Sequence, residues 1–61
     1  MQTVTFNNRE MRIHSTESID GALGEDLQKR GFEPVFYTLV GKRGGMVTCL
    51  KSIKTGDMIK F

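Results

Sequence analysis

Sixty-one residues, 38% of them apolar and 26% charged, with a formal net charge of +2, bound the answer before any motif is read. A chain of this length buries only about 60% of its unfolded surface. One domain spanning 1–61 is therefore all it can build, and an enzyme that divides cofactor and substrate between domains is excluded. The lone cysteine, Cys49, has no partner for an intrachain disulfide, which favours a reducing compartment, and Cys49 with His14 falls short of the donor set of a structural zinc site.

The first residues, Met1-Gln2-Thr3-Val4-Thr5-Phe6, alternate polar and apolar side chains and lack the cationic start and continuous apolar stretch of a signal peptide. The most apolar run free of charge and glycine, Pro34 to Val40, is seven residues, against the roughly 20 needed to span a bilayer. We expect no membrane span and a cytoplasmic protein, with Met1 the start of a short, complete reading frame.

Val4 and Phe6 share one parity, Met11 and Ile13 the other, and Asn7-Asn8 lies between them, the signature of a two-residue turn with both central residues at positive φ. Placing Phe6 opposite Arg9 sets Thr5 against Glu10, Val4 against Met11 and Thr3 against Arg12. In that register Val4, Phe6, Met11 and Ile13 form a core face, and Thr3, Thr5, Glu10, Arg12 and His14 a wet one. From Ser15 the period changes: Ile19, Leu23 and Leu27, with Ala22, are spaced as a helical stripe. Thr16 or Ser18 is expected to cap this helix. Gly31 supplies a left-handed exit, and Phe32 folds back on Leu27 as in a Schellman cap. Gly21 and Gly24 weaken such a helix, which suggests close approach of another backbone.

Val35-Phe36-Tyr37-Thr38-Leu39-Val40 is β-branched and aromatic on both parities and predicts a central strand. Gly41-Lys42-Arg43-Gly44-Gly45 is a turn, Met46 to Leu50 a returning strand, Thr55-Gly56-Asp57 a further turn and Met58 to Phe61 a short last strand. The expected fold is α+β, a small two-layer arrangement of one helix on an antiparallel sheet of four to five strands, in the order β-β-α-β-β-β. One helix shields one side of a sheet. With Phe36, Thr38 and Val40 on one side and Val35, Tyr37 and Leu39 on the other, an apolar surface is expected to remain for a partner. Met11 and Met46 are expected to fill core gaps, and Met58 is open to a contact surface as well, with core the default for all.

Charge is divided unevenly. Residues 1–40 carry four Lys or Arg against six Asp or Glu, whereas residues 41–61 carry five against one. Lys42, Arg43, Lys51, Lys54 and Lys60 therefore form a candidate nucleic-acid-binding set on the C-terminal hairpin, with Tyr37 and Phe61 as candidate stacking aromatics. The same lysines would also serve to keep a sheet edge from aggregating. No RNP motif, helix-turn-helix pair or phosphate loop accompanies them. The acids Glu17, Asp20, Glu25 and Asp26 suit the start of a helix, and Lys29 and Arg30 its end. His14 and Ser15, adjacent on a strand, point to opposite faces and make no catalytic pair. Cys49 is expected to be a small buried hydrophobe.

These features predict a small non-catalytic regulatory or accessory protein, of phage or mobile-element type, that binds a protein partner or a second copy of itself as a homodimer. The sheet surface Val35, Phe36, Tyr37, Leu39 and Val40 is its contact, without cofactor, metal or small-molecule substrate. Nucleic-acid binding through the basic hairpin is the alternative.

Overall fold

The computed structural model describes residues 3–61. Five antiparallel strands form one sheet in chain order, β1 (Thr3–Phe6), β2 (Arg9–Ser18), β3 (Val35–Val40), β4 (Met46–Lys51) and β5 (Met58–Lys60), with the helix α1 (Gly21–Lys29) inserted between β2 and β3. The α+β class and the order β-β-α-β-β-β are those the sequence predicts. The first hairpin also has the expected register, from Thr3 opposite Arg12 to Phe6 opposite Arg9. Asn7 and Asn8 stand at φ 51° and 63°, as a turn that matches the right-handed twist of its strands requires.

The sheet is not a flat layer. β2 is ten residues long and is shared: its first part pairs with β1, and from Arg12 onward it pairs with β3. Between Ile13 and Ser15 the register to β3 slips, leaving His14 as the extra residue of a bulge, a feature that bends a strand and sharpens its twist. The sheet curls along this bend until β1 touches β5. On the concave side, Leu39, Cys49 and Met58 form a buried cluster with Val4, Phe6, Met11, Ile13, Tyr37 and Val47 packed around it. On the convex side, Ile19, Leu27 and Leu50 form a second cluster with Phe32 and Phe36.

The inner side of β3 thus finds cover within the chain, and on the convex side the helix cluster takes in Phe36. Of the two β3 sides expected as a contact, the one carrying Val35, Tyr37 and Leu39 is closed by the chain itself: Leu39 is 0% exposed, because the curl brings β1 and β5 over it. The methionines divide: Met58 takes the default core place, and Met46, expected in the core, does not. Lys51 opposite Met58 and Cys49 opposite Lys60 turn Met58 inward, where it is buried, while Met46, opposite Val40 on the convex side, is 57% exposed.

The helix starts later than its apolar spacing suggests. Ser15 to Ser18 continue β2 against Val35–Thr38, so neither Thr16 nor Ser18 caps it. Asp20 occupies the cap position in extended backbone, without a side-chain hydrogen bond. Leu23 is half-exposed and Ala22 exposed; Gly24 and Leu27 are the residues turned inward. The close approach expected of the glycines occurs at Gly24, where a Cβ would meet the Ile19 carbonyl and come within 3.5 Å of the Pro34 Cβ. The exit follows the Schellman pattern: Phe32 N–H donates to the Leu27 carbonyl (2.9 Å) and Gly31 N–H, at φ 92°, to the Gln28 carbonyl (3.1 Å). Beyond it, Glu33 N–H bonds the Lys51 carbonyl and Ile53 N–H the Gly31 carbonyl, both at 2.9 Å. The helix exit is thereby tied to the end of β4.

Replacing Gly24 with alanine tests this packing. Helix propensity alone favours alanine by up to about 1 kcal/mol, but the clash with Ile19 is expected to dominate and destabilise the protein by about 1–3 kcal/mol. A lowered urea midpoint is the predicted result; a midpoint unchanged or raised contradicts the close approach.

Candidate functional site

Two hairpin tips stand at the same end of the curled sheet, the Asn7-Asn8 turn of β1–β2 and the 41–45 turn of β3–β4. The second is closed by bonds from Gly44 N–H to the Gly41 carbonyl (3.0 Å) and from Gly41 N–H to the Gly45 carbonyl (2.9 Å). Gly44 adopts φ 84°, a conformation that L side chains resist. Between the tips runs an open groove of about 820 Å³. Arg9, Lys42 and Arg43 line it with Glu10, and Phe6, Met11 and Val47, half-buried at the margin of the inner core, supply apolar lining. Among the described residues, none of these three cations has a carboxylate partner; the ion pair found is Arg30 with Asp26 at 3.0 Å on the exposed side of the helix.

The structure divides the five basic residues of the C-terminal part. Lys42 and Arg43 enter the groove together. Lys51 ends β4 and Lys54 sits in the turn beyond it. With β4 rising about 3.4 Å per residue, that turn is separated from the groove by roughly 17 Å of strand. Lys60 lies opposite Cys49 on β5. Arg9, which the sequence analysis did not single out, joins Lys42 and Arg43 because antiparallel pairing of β2 with β3 brings the two turns to one end. The only sequence signal for it was its place beside the Asn-Asn turn.

The aromatic candidates also part. Tyr37 donates a hydrogen bond to Glu33 Oε1 at 2.8 Å; its partial burial, followed by the hydrogen bond and charge of Glu33, raises its pKa. Phe61 is 65% exposed and stands edge-to-face on Phe36, with ring centroids 4.8 Å apart and an interplanar angle of 74°. Of the expected contact residues, Val35, Phe36, Tyr37 and Val40 are half-buried and Leu39 is enclosed. The convex side bears further apolar groups not anticipated as a contact. Ile59 lies opposite Leu50, Phe61 N–H bonds the Thr48 carbonyl (3.1 Å), and Met46 lies two residues from Thr48 on the same side. Ile59, Phe61 and Met46 are 45%, 65% and 57% exposed, so they form a row on adjoining strands rather than isolated exposures.

His14 is exposed at the bulge and Ser15 pairs with Thr38. Glu17 lies in β2, whereas Glu25 and Asp26 belong to the helix. Cys49 is fully buried, as its strand position suggests. Burial pushes its thiol pKa up, and nearby Lys60 partly offsets this. The thiol is therefore shielded as well as poorly ionised at neutral pH, and a disulfide-based thiol reagent is expected to label the folded protein about 100-fold more slowly than the protein in denaturant. Labelling at equal rates contradicts an enclosed Cys49.

Among the described residues, no helix is long and apolar enough to cross a membrane. Comparison of the chain with protein-family models, with curated proteins and with solved structures finds no significant match.

Proposed function

We propose that this chain is a small non-catalytic binding protein, regulatory or accessory to a larger assembly, that acts through protein–protein contact at the convex side of its sheet. The observation that carries this is the row of Ile59, Phe61 and Met46 beside half-buried Val40 and Phe36. Large apolar groups exposed one at a time are ordinary on protein surfaces, but several on neighbouring strands form a patch whose removal from water favours association. The helix covers Leu50 and Phe36 at one end of this side and leaves the remainder open. A second copy of the chain is the first partner to test, since a C2 dimer sets the same apolar row against itself.

The chain is expected to self-associate reversibly in sedimentation and light scattering, and Phe61→Ser with Ile59→Ser is expected to shift it to monomer by at least about tenfold in dissociation constant. Both side chains are exposed, so the variant should keep its far-ultraviolet circular dichroism. If self-association is absent, the same double variant must lose a protein captured by the wild type in a nuclease-treated pull-down. A wild type that remains monomeric and captures nothing contradicts the proposal.

A further inference from the structure

The groove between the hairpin tips is chemically unlike the apolar row that it meets at Met46. Two turns distant in sequence place two guanidinium groups and one ammonium group along one channel, with Glu10 the acid among the lining residues. Clustered cations without carboxylate partners repel one another and collect counter-anions, so an anion with several charges is the ligand that such a channel gains most by binding. Guanidinium groups suit phosphate in particular, because their planar donors engage two oxygens at once.

We infer that this groove binds the backbone of a single-stranded nucleic acid, with Arg9, Lys42 and Arg43 contacting successive phosphates and Phe6 offering an aromatic surface to a base. The apolar lining separates this ligand from others. Phe6, Met11 and Val47 border the groove, and the bases of an unpaired strand present flat faces to such a surface, whereas a duplex keeps those faces inside its stack. An acidic peptide would satisfy the cations but brings no planar group for the aromatic residue. The glycine-rich 41–45 turn favours close approach: a Cβ at Gly44 or at Gly45 would stand in open space, so no side chain screens the backbone there. This inference uses residues distinct from Ile59 and Phe61 and stands or falls separately from the protein–protein contact.

Fluorescence anisotropy of a labelled oligothymidylate, titrated with the full chain at low and then rising salt, tests it. Three phosphate contacts predict a slope of log K against log salt of about −2, from roughly −0.7 per contact on a single strand. Lys42→Ala with Arg43→Ala is expected to reduce that slope to about −0.7 and to weaken low-salt binding more than about tenfold. Phe6→Leu is expected to weaken binding with the slope unchanged. Lys51→Ala with Lys54→Ala, at the other end of β4, is expected to change neither. Absence of binding at low salt overturns the inference. So does an unaltered slope in the Lys42/Arg43 variant, or an equal loss in the Lys51/Lys54 variant. A duplex that binds as tightly as the single strand, or a polyglutamate that competes mole for mole, overturns the choice of ligand.

Discussion

Everything in this structure depends on a bend in one strand. The third strand is apolar on both sides, and among the described residues the one short helix has no second helix beside it to lay over the other side. The extra residue at His14 bends β2 just past the part it shares between β1 and β3, and turns the sheet back on itself. β1 and β5 then close over Leu39, Cys49 and Met58. One sheet thereby provides two layers of its own, and the helix is left to cover part of the convex side. Barrels remove exposed strand edges by the same bending, and the approach of the first and last strands is a partial form of that solution.

The helix is fitted to this curvature by small residues rather than by a broad apolar stripe. Gly24 brings it against the Ile19 carbonyl, Leu27 reaches the cluster with Leu50, and the Gly31 exit sets Phe32 beside them. The segment after it then pairs with the end of β4 through the Phe32–Ser52 bridge. A nine-residue helix is marginal alone in water; here its two ends are held, by Ile19 N–H on the Pro34 carbonyl (2.8 Å) and by the bonds to Lys51 and Gly31.

Local signals made much of this legible. The Asn7-Asn8 turn sets the first register because positive φ at two successive residues has few other uses, and the pattern around Gly31 and Phe32 specifies a helix end through two hydrogen bonds and one apolar contact. The β-branched run Val35–Val40 marked its strand without help from context. What escaped has non-local causes. Ser15 to Ser18 carry no apolar pattern, since backbone pairing with β3 holds them in the strand, so the bulge and the length of β2 left no trace in periodicity. Without the curl, Met46 looks like core and Met58 suits either core or a contact surface; the structure exposes the first and buries the second. For the candidate groove, Lys42 and Arg43 were visible as a charged turn, whereas Arg9 joins them only through the pairing of distant strands.

The two surfaces proposed for function follow from the same geometry. Bending the sheet leaves apolar groups where the helix does not reach, and it sets two hairpin tips side by side with their cations facing one channel. The most direct measurement of the curl is a set of nuclear Overhauser contacts between β1 and β5 in solution. Cross-peaks from Val4 or Phe6 to Met58 are predicted, together with the sequential strand pairings. An open sheet that shows every neighbouring-strand contact but none between Thr3–Phe6 and Met58–Lys60 would contradict the account.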